Sequence, residues 1–408
     1  MKIAMLSPYS LSRPGGVQGQ VFGLARALRA MGHQVTVMGP GDPGESGAAA
    51  RATAAESAVA GGDGAGAGVA EGGVAGGGAG AGAGSVERDP DVFIMGRPTS
   101  LRSNGSVAPV TISPGAAVRA EQFVRRGGYD VLHAHEPLAP VAAYGFVARA
   151  SVPMVGTYHR AGVSRWVPLL KPLVYLVGSR LQVRVAVSEA ARDTAMRSSK
   201  GEYEVLFNGI DMERFARAEP VPSDLPTVLF LGRHETRKGL GVLLDAFARL
   251  ERPAVLWVAG DGPQSEVQRR RHPESDRVKW LGTLSDSEVA ARLRGADILC
   301  APSLHGESFG MVVLEGMAAR CAVVASDLEG YRSAAGGHAE LVRPGDVGAL
   351  SRALGVALAD AAEGSGHSST DALKAAEAHA NGWSMESLAA RYVDVYERAI
   401  RTYAREHS

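Results

Sequence analysis

Asp297-Ile-Leu-Cys-Ala-Pro-Ser-Leu-His-Gly-Glu-Ser-Phe-Gly-Met-Val-Val-Leu-Glu315 passes from an apolar, strand-like run into a loop and then into a helical stretch. The run Asp297–Ser303 reads as a buried strand, and Ser308-Phe-Gly310 reads as the start of a helix. Two carboxylates, Glu307 and Glu315, bracket that helix start. A rise of about 1.5 Å per residue would set them about 12 Å apart along the axis. Such a span suits an elongated ligand with hydroxyls at both ends and an anion in the middle, facing the partial positive charge of a helix N-terminus. A sugar nucleotide has that shape.

Working outward, strand and helix patterns alternate along the chain, the signature of parallel sheets with crossover helices. In the first half strands read at Lys2–Leu6, Gln34–Met38, Val92–Met95, Asp130–Ala134, Pro153–Tyr158 and Val183–Val187. In the second they read at Val228–Leu231, Ala254–Ala259, Val278–Leu281, Asp297–Ala301 and Ala322–Ala325. The first helix presents Val17, Val21, Leu24, Leu28 and Met31 at steps of four and three, and Gly32 stops it. Pro220, Pro222 and Pro226 mark a linker. The pattern predicts an α/β chain of two doubly wound, Rossmann-like domains, residues 1–218 and 219–384, facing an interdomain cleft. A last helix within 385–408, Met385–Arg405, is long enough to cross back over the first domain. Residues 45–86 are mostly Gly and Ala, with a few Ser, Glu and Val, a composition expected to form a disordered insertion in the first domain.

The bulk properties agree. A chain of 408 residues exceeds the ~250–300 at which single cores stop growing. Its 43 basic and 43 acidic residues cancel, so no global field draws it to nucleic acid or anionic lipid, and any membrane contact would have to be a local patch. Cys300 and Cys321 stand in apolar runs and read as small buried side chains, consistent with a reducing cytoplasm. The N-terminus reads as a first strand and not as a signal peptide, and Trp166–Val177, the nearest approach to a membrane span, is broken by Lys171 and Pro172. A soluble protein is expected.

Chemistry-bearing residues gather at strand ends. Gly15-Gly16 closes the first strand-to-helix turn, where the backbone can approach a phosphate or merely turn. Arg233 and Lys238 follow strand Val228–Leu231 on one loop and can converge on a diphosphate. Ala259-Gly-Asp-Gly-Pro263 and Leu281-Gly-Thr-Leu-Ser285 end equivalent strands and could line a base pocket. Gly260-Asp-Gly262 lacks the third glycine of a dinucleotide fingerprint, which argues against a dehydrogenase. His159 closes another strand at the cleft rim, as a packing residue or a catalyst. His133 and His135 have no third metal ligand at a recognisable spacing, and Asp89-Pro-Asp91 borders the Gly/Ala tract, so no metal site is expected.

Taken together, these residues resemble glycosyltransferase family 4, retaining enzymes of GT-B architecture. Within it the likeness is to the actinobacterial phosphatidylinositol mannosyltransferases. It rests on Glu307–Glu315, the Arg233…Lys238 loop, Pro8-Tyr-Ser10, Pro14-Gly-Gly-Val-Gln18, Asn104-Gly-Ser-Val107, Asp130-Val-Leu-His133, His135-Glu-Pro137 and His305–Gly310. The resemblance implies mannose transfer from GDP-mannose to phosphatidylinositol at the cytoplasmic membrane face, with peripheral contact to anionic lipid and no metal cofactor. It implies catalytic roles for His159, Arg233, Lys238 and Glu307. It implies donor contacts from Gly16, Arg233, Lys238, Asp261, Leu284, Glu307, Ser308, Phe309, Gly310 and Glu315. Acceptor contacts would come from Tyr9, Gln18, Asn104 and Arg160. The acceptor side departs from the family pattern. Ser12-Arg13 stands where an acidic residue is usual, Arg160–Arg165 replaces a Thr/Ser-rich run, and Pro114–Gly127 keeps only Arg119, Arg125 and Arg126 as basic residues. Alternatives are another donor such as a UDP-sugar, a soluble acceptor, or a non-catalytic sugar-nucleotide or lipid-binding protein.

Overall fold

A computed structural model describes residues 1–11, 16–41, 91–97, 99–103, 106–110, 114–137, 150–159, 171–307 and 309–408. The tract 45–86, Asn104, Arg160 and Ser308 lie outside the described residues, as do residues 12–15 of the first loop.

The N-terminal half contains β1 (Lys2–Leu6), α1 (Gly16–Ala30), β2 (Gln34–Gly39), β3 (Val92–Ile94), β4 (Thr99–Ser103), β5 (Ser106–Val110) and α2 (Pro114–Gly127). It continues through β6 (Val131–His135), β7 (Met154–Tyr158), α3 (Lys171–Ser179), β8 (Val183–Ala186), α4 (Glu189–Ser198), β9 (Glu204–Val205) and α5 (Met212–Arg217). Its parallel sheet has the order β3-β2-β1-β6-β7-β8-β9, reversing direction between β1 and β6, while β4 and β5 pair separately as an antiparallel hairpin.

The C-terminal half runs β10 (Thr227–Leu231), α6 (Leu240–Phe247), β11 (Val255–Ala259), α7 (Ser265–Arg271), β12 (Val278–Gly282), α8 (Asp286–Gly295), β13 (Ile298–Ala301) and α9 (Met311–Ala318). Then follow β14 (Ala322–Ser326), α10 (Glu329–Ala335), β15 (Glu340–Val342), α11 (Val347–Glu363), α12 (Thr370–Asn381) and α13 (Met385–His407). Its sheet order is β12-β11-β10-β13-β14-β15, reversing between β10 and β13. Each half is therefore doubly wound, and the carboxyl ends of its central strands form the crevice in which such sheets bind ligands.

The strands form where the sequence is apolar on both faces, as helix-covered parallel sheets require. Strands β11 and β14 are buried throughout, and both cysteines are buried and unpaired. Along α1, Val21, Leu24 and Leu28 face the core as their spacing predicts, but Met31 lies one residue past the helix and is exposed. A more consequential difference concerns α9, which begins at Met311 with Gly310 as its N-cap. Glu307 is thus in the preceding loop, and only the stretch from Met311 to Glu315 follows a helical rise.

Helix α13 leaves the second half and packs on α1 and on β6, β7 and β8 of the first sheet. It buries Met385, Leu388, Ala389, Tyr392, Val395, Tyr396 and Ala399. The two chain crossings are stitched together: Ile210 N donates to Trp383 O (2.9 Å) and Met385 N to Ile210 O (2.9 Å).

Candidate active site

Three loops leave the carboxyl ends of β10, β11 and β13 and touch backbone to backbone. Leu304 N donates to Arg237 O (2.7 Å), and His234 N donates to Asp261 O (3.1 Å). Gly239, at φ 70°, lies so close to the 302 loop that a Cβ would stand 1.9 Å from the Pro302 carbonyl oxygen. Only glycine fits there, in conformation and in space.

That contact brings the expected cation and carboxylate together. Lys238 Nζ is 2.7 Å from Glu307 Oε1, and Arg237 Nη1 is 3.2 Å from the same oxygen. Ser303 Oγ donates to it at 3.0 Å and meets Tyr331 OH at 2.8 Å. Glu307 is only 12% exposed, so these charge-assisted bonds operate away from bulk water. Burial, followed by the Glu307 charge, drives the Tyr331 phenol pKa upward and keeps it a neutral donor. Arg233 stands apart, 62% exposed and paired with Glu235 at 3.2 Å. Arg237, which sequence reasoning passed over, occupies the position nearer Glu307. Its place directly before Lys238 was the available signal.

Glu315, one turn into α9, is met by Arg214 of α5 (Nη2 to Oε1, 3.2 Å). Desolvation raises the carboxyl's pKa, and the Arg214 charge opposes the rise. Arg214 itself follows Asp211, which N-caps α5 by accepting from Arg214 N and pairs with Arg26 of α1 at 3.2 Å. A line of charges therefore runs from the first domain's opening helix to the second domain's acid. No local pattern in the sequence announces it.

Between the two acids, Gly310 takes φ 91°, and a Cβ there would stand 3.0 Å from both Ala334 Cβ and Tyr331 Cδ1. Phe309 is buried and packs edge-on to Trp383 (5.1 Å between ring centroids), which packs in turn on Phe207 (4.7 Å). Asp261 is exposed; its pKa is lowered by bonds from Ser265 Oγ and Gly262 N. Leu284 packs part-buried against the core. Beside these loops His234 is fully buried, with Nδ1 on Ser265 Oγ at 2.8 Å.

Across the molecule, His159 follows β7. Its backbone N–H is held by the Glu136 carboxylate, and its Nε2 is 2.9 Å from His135 Nδ1. Glu136, at φ 47°, holds the left-handed conformation that non-glycine residues seldom adopt. Desolvation lowers the His159 pKa to about 4. Of the expected acceptor-side residues, Gln18 is buried and donates from Nε2 to Ser10 O (3.1 Å), so its amide braces the first loop. Tyr9 is part-buried, its N–H donating to Ser7 Oγ at 3.3 Å. Gly16 opens α1. Among the described residues, no group of three His, Cys, Asp or Glu side chains forms a metal site, and no helix is long and apolar enough to cross a membrane. Arg119 donates to Met95 O at 2.7 Å, whereas Arg125 and Arg126 are exposed on α2.

Residues 76–214 match the family model described as Glycosyltransferase Family 4, and residues 225–360 match Glycosyl transferases group 1. The chain is 33% identical over 359 residues to the phosphatidyl-myo-inositol mannosyltransferase of Mycobacterium tuberculosis, spanning 86% of this chain and 82% of that protein. It is 30% identical over 344 residues to the protein of that name from Propionibacterium freudenreichii, spanning 81% and 78%. Among solved structures, the fold matches sucrose-phosphate synthase from Thermosynechococcus elongatus with a TM-score of 0.67 at 20% identity, covering 97% of this chain and 98% of that one. It matches Anabaena HepE in complex with UDP and glucose with a TM-score of 0.66 at 19% identity, covering 97% and 99%. By these matches to both halves, and by identity spread over most of its length, the chain belongs to glycosyltransferase family 4 and has the GT-B architecture.

Proposed function

We propose that this hexosyltransferase moves mannose from GDP-mannose to an inositol-containing phospholipid, with retention of configuration, while bound peripherally at the cytoplasmic face of the membrane. The observation that carries the reading is the cluster of Lys238, Arg237 and Glu307, in a chain 33% identical to a protein named phosphatidyl-myo-inositol mannosyltransferase. In this scheme Lys238 and Arg233 neutralise the leaving diphosphate, with the N-terminus of α9 adding its dipole. Lys238 exchanges its partner Glu307 for phosphate oxygen as the donor enters, which releases that carboxylate to accept from sugar hydroxyls. Glu315 accepts from the ribose hydroxyls, with Arg214 holding its carboxylate in register. Gly16 brings backbone to the diphosphate from the first domain, and His159 orients the sugar.

The acceptor hydroxyl oxygen attacks the anomeric carbon on the face from which the diphosphate departs. The carbon–oxygen bond to phosphate breaks with its electron pair going to the diphosphate, and the acceptor proton passes to a departing phosphate oxygen. Arginine, lysine and helix dipole meet the developing charge, so the scheme requires no metal.

The test is turnover with phosphatidylinositol vesicles and a donor panel of GDP-mannose, UDP-glucose and ADP-glucose, with and without EDTA. Mannosyl transfer from GDP-mannose, undiminished by EDTA, is expected. Turnover of UDP- or ADP-sugars alone would sink the mannosyl reading.

A further inference from the structure

The central strand β6 is fully buried yet carries two histidines. Residues two apart on a strand share a face, and the His133 and His135 rings accordingly lie 4.1 Å apart between centroids. His133 is fixed at both nitrogens: Nδ1 meets Tyr396 OH at 2.8 Å, and Nε2 meets Thr157 Oγ1 at 2.7 Å. Thr157 Oγ1 also meets Tyr392 OH at 2.8 Å. Both tyrosines come from α13, more than two hundred residues away in sequence. The chain of contacts ends at His135 Nδ1 and His159 Nε2.

We propose that His135 is a positioning residue that donates from Nδ1 to His159 Nε2, thereby holding His159 as its Nδ1–H tautomer, with the tyrosines of α13 locking the ring stack behind it. The inference rests on the reading of His159 as the residue that orients the donor sugar. Burial lowers the pKa of all three histidines, so near neutral pH each ring has one N–H and one bare nitrogen. One of the two nitrogens at the His135–His159 contact therefore donates and the other accepts. Among the described residues, His135 Nε2 is buried and has no hydrogen-bond partner. If His159 donated, His135 would carry its proton on that orphaned Nε2. Burying a lone N–H is rarer than burying a lone acceptor, so His135 donates. The proton of His159 then resides on Nδ1, from which it can donate a hydrogen bond to a sugar oxygen. The Glu136 bond to the His159 backbone fixes the other end of the residue.

The experiment is long-range ¹⁵N–¹H correlation spectroscopy of the imidazoles in the donor-free protein, for the wild type, His135→Asn and His135→Leu, joined to steady-state kinetics with GDP-mannose. Asn can offer an N–H at the position of His Nδ1, and Leu has the same shape without it. The wild type and His135→Asn are expected to show His159 protonated at Nδ1, and His135→Leu to lose that preference. The Leu variant should lose about tenfold in kcat with little change in donor KM, and Asn should restore most of it. Protonation of His159 at Nε2 in the wild type, or an unchanged tautomer in His135→Leu, overturns the proposal. If His135→Leu does not fold, the wild-type spectrum decides alone. The spectra need no substrate. Full turnover by His159→Ala would therefore refute the role given to His159 while leaving the tautomer result standing.

Discussion

His133 and His159 are neutral because the fold surrounds them with protein, and that neutrality has a measurable consequence. Their folded pKa values fall from 6.5 to about 3 and about 4, with desolvation the largest cause in each. In the unfolded chain both rings take up a proton near pH 6.5, while in the folded one they do not until far lower pH. The unfolded state therefore binds more protons below pH 6.5, and stability is lost as pH falls through that value towards about 4 and then about 3. Above pH 6.5 the contribution is complete. Each histidine should cost on the order of 1 kcal/mol per pH unit in this window. Tm measured from pH 7 to pH 5 should drop by several degrees, before ordinary carboxylates begin to titrate. A flat Tm across that interval would mean that these rings are hydrated.

Elements set the site by where they stop. Helix α9 starts three residues later than the Ser308-Phe-Gly310 pattern suggests, because Gly310 adopts the left-handed cap and Glu307 is drawn back to Lys238 and Arg237. The loop before α6 likewise ends in a left-handed Gly239 wedged against Pro302. Gly239→Ala would add a left-handed backbone penalty of about 1–2 kcal/mol and force the two loops apart. A stability loss of at least about 2 kcal/mol is expected, seen as a Tm several degrees lower together with a raised donor KM. Unchanged melting and unchanged KM would show that the loops are not held by this contact. The Cβ positions matter here more than any side chain, which is why glycine spacing in the sequence was a clue to the loops without revealing which faced which.

For the whole molecule, α13 is the element that joins the halves: it originates in the second and buries seven side chains, Met385 to Ala399, against the first. Removing residues 385–408 would expose β6–β8 and α1 and cut His133 from Tyr396 and Thr157 from Tyr392. The truncated protein should melt with lower cooperativity and at a Tm lower by roughly 10 °C or more. Melting indistinguishable from the full chain would show that the helix is an appendage.

The alternation of strands and helices, the two-domain division and the strand-end loops were all legible in the sequence. Strands buried on both faces must be apolar throughout, and crossover helices must carry a 3.6-residue stripe. The strand-end positions of Glu307, Lys238 and His159 were legible as well, because the loops of a doubly wound sheet leave from there. Pairings were not. Arg214 with Glu315, Arg237 with Glu307, and the ladder from Tyr396 through His133 and His135 towards His159 join residues far apart in the chain. By itself the sequence determined most of the parallel strands, the long helices and the loops between them, since local periodicity and glycine placement decide those, but not the β4–β5 hairpin or the short edge strands β9 and β15. Only the tertiary structure decided which charge meets which carboxylate and which histidine nitrogen is engaged, because hydrogen bonds and ion pairs depend on distances that chain folding alone creates.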